Sequence, residues 1–115
     1  MTVKEFYERL NEAYETVVDR FGDGETVRYF CMKFLQDRSF EELTNAMRNH
    51  NAEAAFRAVH TLKGVCLNLG FGRLGKAASE LTEYLRGRPD TDGCDKLYSE
   101  VVAEYRRVAD ALTDL

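Results

Sequence analysis

In the stretch AVHTLKGVCLNLG, from Ala58 to Gly70, three residues that could do chemistry together lie one helical turn apart: His60, Lys63 and Gly64. An imidazole with a reference pKa of about 6.5 is mostly neutral at cellular pH and is then a good nucleophile. Phosphorylated, it becomes a labile phosphoramidate that can hand its group on. A lysine at i+3 places a cation beside the phosphoryl oxygens. A glycine at i+4 costs a helix about 1 kcal/mol relative to alanine. That cost is tolerable if the missing side chain opens the surface to an incoming partner.

Hydrolytic or general-base chemistry fits these residues less well. A histidine base needs a nucleophile, a pocket and an orienting carboxylate. Nothing acidic stands at helical spacing from His60, Thr61 points away from it, and a convex helical surface makes a poor pocket. The other histidine, His50, lies in a turn and is not at i,i+4 to His60, so no zinc arrangement is supported. Cys31, Cys66 and Cys94 lack metal-ligand spacing, and no metal site is expected. Odd in number and far apart, they suit reduced thiols of the cytosol.

At about 100° per residue, Ala55, Val59, Leu62, Cys66 and Leu69 share one stripe of a helix spanning about residues 52–69. His60 then stands about 140° from the stripe centre, Gly64 about 180° and Lys63 about 80°. His60 should therefore face solvent with open surface at Gly64, not close helix packing. Phe56 and Leu67, about 100–120° out, flank the same surface, and Arg57 lies about 160° out. These three are the candidate partner contacts, with Arg73 and Lys76 on the next helix as further basic residues. The competing reading makes Phe56 and Leu67 the broad edge of the core face and the basic residues ordinary surface.

The elements that must position this helix also read as helical, with no convincing strand. Thr2 and Glu5 form a capping box for a first helix, about 3–20, with Phe6, Leu10, Ala13 and Val17 inward. FGDGE stops it, and Asp23 caps a second segment, about 25–37, with Val27, Phe30, Cys31 and Phe34 on one face. Ser39 and Glu42 suggest another capping box for a third segment, 40–48, with Leu43 and Met47 inward. The second and third segments could equally be one bent helix. Asn49-His50-Asn51 is a turn, and Asn51 caps the motif helix. Gly70 ends that helix. A fifth helix, 71–86, turns Phe71, Leu74, Ala78, Leu81 and Leu85 inward. GRPDTDG, 87–93, is a loop, and a last helix, about 95–112, buries Leu97, Val101, Tyr105, Val108 and Leu112. Short loops between amphipathic helices point to an antiparallel up-and-down bundle, all-α.

The chain of 115 residues suits one domain, residues 1–115. Its 44% apolar and 31% charged residues are ordinary for a soluble protein. A net charge of −4 argues against nonspecific nucleic-acid binding, which needs a basic excess. The N-terminus lacks a signal-peptide pattern, and no run approaches the roughly 20 apolar residues of a membrane span. A cytoplasmic protein is expected.

HTLKG at residues 60–64, followed by Asn68, Leu69, Gly70 and Phe71, resembles the core motif of histidine-containing phosphotransfer domains. The resemblance extends over about residues 25–85, through YFCMKFLQD before the motif and RLGKAASELTEYL after it. It implies a four-helix bundle with an additional N-terminal helix. It implies phosphorylation of His60 on Nε2 by a receiver-domain aspartate or a kinase, then transfer to another receiver. Lys63 would contact the phosphoryl group, Gly64 would leave room for the receiver, and Asn68 and Gly70 would be structural. The implied partners are response-regulator receiver domains and a hybrid sensor histidine kinase, with Mg²⁺ carried by the receiver and no cofactor or kinase activity in this chain. A monomer is expected. The amino-terminal domain of chemotaxis kinases has a similar motif, with which Gly70-Phe71 is also compatible. A scaffold whose His60 takes no phosphate, or a cryptic enzyme, remain the alternative readings.

Overall fold

The computed structural model describes residues 1–115, and the chain is all-α. Seven helices follow one another: α1 (Val3–Arg9), α2 (Tyr14–Phe21), α3 (Gly24–Phe34), α4 (Ser39–Arg48), α5 (Ala52–Asn68), α6 (Gly72–Leu85) and α7 (Asp95–Leu112). Three begin with the caps their sequence announces. Thr2 and Glu5 exchange hydrogen bonds at 3.1 and 2.8 Å, Asp23 accepts from the Thr26 amide, and Asn51 accepts from the Ala54 amide.

Three expectations are corrected. The first helix is two, because Asn11 takes a left-handed conformation (φ 56°), which an asparagine tolerates better than most residues. The chain turns there, with the Glu12 amide donating to the Tyr7 carbonyl at 3.0 Å. The inward pattern survives the break at Phe6, Leu10 and Val17, but Ala13 becomes exposed. Secondly, Ser39 and Glu42 form no capping box. The Ser39 amide donates to the Asp37 carboxylate at 2.9 Å, and α4 therefore starts one residue early. Residues 35–38 separate α3 from α4, so the two are not one bent helix. Thirdly, Phe30 is not inward: its ring lies tilted against Phe21 (centroids 5.0 Å apart, planes at 30°) and stays 39% exposed.

Three helix pairs around the motif helix run antiparallel. On α4 and α7, Phe40 stacks on Tyr105 (centroids 3.8 Å apart, planes at 4°), while Thr44 meets Tyr98 at 3.2 Å. Numbers rise along one helix as they fall along the other. On α6 and α7, Arg73 pairs with Glu104 and the Tyr84 hydroxyl reaches the Asp92 carbonyl. On α5 and α6, Leu67 lies against Gly75 and Phe56 against Arg86. One apolar core of 27 buried residues joins all seven helices. Leu62, Cys66, Leu74, Leu81 and Val101 are fully buried, each contributing on the order of 1.5–3 kcal/mol for a side chain of Val or Leu size.

The N-terminal segment braces the corner between α5 and α6. Gly70 turns that corner with φ 73°, and a Cβ there would run into the Val17 side chain, so only glycine fits. α5 has no basic residue in its last turn, and Arg20 of α2 supplies the missing cation by donating to the Leu67 and Asn68 carbonyls. α6 has neither a side-chain cap nor an acidic first turn of its own. Glu12 reaches across to accept from the Arg73 amide at 2.9 Å. Arg107 ties this corner to α7, donating to the Leu10 carbonyl at 3.0 Å and to Glu104 at 2.9 Å. Buried Tyr7 donates to the Leu69 carbonyl and touches Cys31 Sγ, and burial holds its hydroxyl well above the usual titration range.

Candidate functional site

Asn51 and Gly70 delimit a 17-residue helix, α5, long enough to carry both a buried stripe and an exposed face. Ala55, Val59, Leu62, Cys66 and Leu69 are buried, between 0 and 4% exposed. The opposite face carries His60 and Gly64, both exposed, with Lys63 at its half-buried margin. A Cβ built on Gly64 would find no atom within 4 Å. That disposes of close helix packing as the reason for this glycine. Lys63 pairs with no carboxylate, so its charge is available to whatever approaches.

The flanking residues differ from one another. Phe56 is half-buried, and its ring lies parallel to the His60 imidazole, with centroids 5.8 Å apart and planes at 8°. Stacking restrains the imidazole without covering it. Leu67 is 48% exposed and leans on Gly75 of α6. Arg57 is exposed but bound to Glu53 one turn earlier at 2.6 Å, so its charge is largely compensated. On the next helix Arg73 is engaged by Glu104 at 2.9 Å, whereas Lys76 has no partner.

Two features near His60 do not follow from helical spacing on α5. The first is an ion pair on α6. Glu83 and Arg86 are joined by two hydrogen bonds, at 3.0 and 3.1 Å, and the Arg86 guanidinium sits 5.1 Å from the centre of the Phe56 ring. Arg86 holds the Glu83 carboxyl below the ordinary carboxylate range, with smaller help from Lys63 and His60. The Glu83 carboxylate thus stands near enough to feel the charges of Lys63 and His60, although it lies on another helix. The second is an open groove of about 680 Å³ between α3 and α5, lined by Phe30, Lys33, Asp37, Gly64, Val65 and Asn68 among others. The surface beside Gly64 is concave, against the expectation of a convex face. The exposure of Phe30, mistaken for a core residue in the helical pattern, is what leaves this groove apolar at one end.

No group of three His, Cys, Asp or Glu side chains is placed to hold a metal ion. All three cysteines are buried thiols, and burial pushes Cys31 up to about 11, far from thiolate formation at neutral pH. What the arrangement offers is one exposed imidazole, one unpaired ammonium, one guanidinium in loan to a carboxylate, and unobstructed space on the same face.

These features define an all-helical domain that presents an exposed histidine on one helix. A scan against protein families matches the Hpt domain over residues 32–114, most of the chain, and the chain belongs to that family. Neither a search of curated proteins nor a search of solved structures returned a match. Membership carries, at the level of the family, a histidine phosphotransfer role in phosphorelay and interaction with receiver domains of response regulators. Hpt domains are phosphocarriers and not kinases. No helix here is long and apolar enough to cross a membrane.

Proposed function

We propose that this chain is a phosphorelay carrier whose phosphoryl acceptor is His60. The observation that carries the reading is the exposed imidazole beside the empty space at Gly64. The Nε2 lone pair attacks the phosphorus of a receiver's aspartyl phosphate. The N–P bond forms while the bond from phosphorus to the carboxyl oxygen breaks, and the aspartate carboxylate leaves with the electron pair. Nδ1 keeps its proton, giving a phosphoimidazolium that can lose that proton to water. Attack by another receiver's aspartate reverses the step and passes the group on.

In this reading Lys63 neutralises the phosphoryl oxygens and Gly64 admits the receiver's loops. Phe56, Arg57 and Leu67 form the near rim of the docking surface, and the groove at Phe30 extends it. Mg²⁺ belongs to the receiver. The antiparallel pairs around α5 support a single domain built as an up-and-down four-helix bundle of α4–α7, with the N-terminal helices packed on one end. A hybrid sensor histidine kinase upstream, a monomeric carrier in the cytoplasm, and no nucleic-acid or membrane partner complete the proposal.

The test is incubation with a panel of phosphorylated receivers, followed by measurement of acid-labile phosphate on this chain. Wild type takes up label and His60→Gln takes up none. Because the side chain is exposed, the variant melts within about 0.5 kcal/mol of wild type. A variant that still labels, or a wild type that labels from no receiver, refutes the proposal in favour of a scaffold.

A further inference from the structure

Resting on His60 as the phosphoryl acceptor, we propose that Phe56 is the positioning residue of that site, an anchored aromatic plate that holds the imidazole in the plane from which it takes and gives up the phosphoryl group. A histidine that must react in one geometry is ordinarily oriented by a hydrogen bond to its second ring nitrogen. His60 has none. On the exposed face of α5, Arg57 donates to Glu53 and Thr61 donates to the Arg57 carbonyl, and neither contact involves the imidazole. The ring is instead laid parallel to Phe56, with centroids 5.8 Å apart and planes at 8°.

The direction of this contact follows from the helix. Side chains lean toward the helix N-terminus, so a residue at i lies over i−4 and away from i+4. His60 therefore rests over Phe56 and leaves the surface at Gly64 clear, where an added Cβ would meet no atom within 4 Å. Phe56 can serve as a plate because it is itself held. It is half-buried against the apolar core, and the Arg86 guanidinium of α6 lies 5.1 Å from its ring centre. An offset, parallel pair of rings restrains the imidazole while leaving its edge, with both nitrogens, open. One nitrogen is then free to attack phosphorus and the other to exchange its proton with water, whereas a hydrogen-bonded orienter would occupy one of them. The restraint matters because a docked receiver offers its phosphorus along one line of approach. A ring already lying in that orientation loses little rotamer freedom on docking, and an unrestrained ring loses more.

The experiment compares the full chain as wild type, Phe56→Leu, which keeps apolar bulk without a flat face, and Phe56→Tyr, which restores the face. Three-bond couplings across the His60 Cα–Cβ bond report how many rotamers the imidazole visits. Single-turnover transfer from a phosphorylated receiver, at increasing receiver concentration, separates the maximal rate from the half-saturating concentration. Wild type and Phe56→Tyr should show one dominant rotamer, and Phe56→Leu several. The maximal rate of Phe56→Leu should fall about two- to tenfold, the cost of immobilising one side chain only on docking. Phe56→Tyr should recover most of that rate.

Unchanged couplings in Phe56→Leu overturn the inference. So does a loss confined to the half-saturating concentration, which marks Phe56 as a rim contact of the docking surface and no more. A slower maximal rate that follows a lowered melting temperature and is not relieved by tyrosine marks a structural role and overturns it as well. Each of these results leaves the carrier reading standing. A wild type that takes label from no phosphorylated receiver overturns the carrier reading itself.

Discussion

Replacing Gly64 by alanine should make the protein more stable and less able to exchange phosphoryl groups with a receiver. Gly64 lies inside α5, more than one turn from Asn51 and four residues from the helix end at Asn68. At such a position alanine is worth about 0.8–1.0 kcal/mol over glycine. A steric clash would cancel that gain, but an added Cβ meets nothing within 4 Å. The whole propensity term should therefore appear, raising the melting temperature by about 4 °C for a domain of this size. The same methyl group stands one turn below the imidazole on the exposed face and at the edge of the groove to α3. A receiver loop that needs this space meets it at every encounter. Thermal melting measures the first effect, and single-turnover transfer from a phosphorylated receiver measures the second. Loading by a small phosphoramidate is the control, because it needs no docking and should be nearly unchanged. Gly64→Phe should deepen the transfer defect while leaving small-donor loading in place. The reasoning fails if Gly64→Ala is no more stable than wild type, since the glycine would then answer to some contact. It fails equally if Gly64→Phe exchanges with receivers at the wild-type rate.

Gly70→Ala should act in the opposite sense, destabilising by about 1–2 kcal/mol for the left-handed backbone alone and by more where the new Cβ meets Val17. Urea unfolding checks this, and a change under 0.5 kcal/mol contradicts the fit described at the α5–α6 corner. Glu104 should lend stability that depends on pH. Burial tends to raise its pKa, but hydrogen bonds from Arg107 and Arg73 prevail and lower it from the ordinary 4.5. A lowered folded pKa means stability fully present above about pH 4.5 and lost as pH falls through the folded value. Urea unfolding of wild type and Glu104→Gln should show a gap that is widest near neutrality and closes in acid. A gap independent of pH would deny the Arg107 and Arg73 contacts their charge.

What the sequence made legible is what repeats or caps locally. The stripe through Ala55, Val59, Leu62, Cys66 and Leu69 needs only a 3.6-residue period, and it correctly puts His60 and Gly64 outward. Thr2, Asp23 and Asn51 cap their helices through residues three positions away, so their roles show in short windows. Periodicity fails where conformation changes without breaking the pattern. Phe6, Leu10 and Val17 stay inward across the turn at Asn11 because both short helices meet the same core, so an unbroken helix and a broken one read alike.

The remaining errors share one physical cause, contacts between residues distant in sequence. Glu12 caps α6 from 61 residues away, and Arg20 satisfies the end of α5 from 47 and 48 residues away. No window contains such a pair. Phe30 has the spacing of a core residue on α3, yet only the placement of α2 and α5 decides that its ring lies on Phe21 at the surface. Glu83 and Arg86 look like an ordinary i,i+3 surface pair until the packing of α5 on α6 sets Phe56 under the guanidinium. The exposed imidazole is therefore written locally, whereas the charged pair on α6 is brought to the neighbouring Phe56 ring only by the fold. A helix bearing HTLKG alone carries the imidazole, but only the packed pair of α5 and α6 sets the Arg86 guanidinium 5.1 Å from the ring of Phe56, which itself lies parallel to the imidazole.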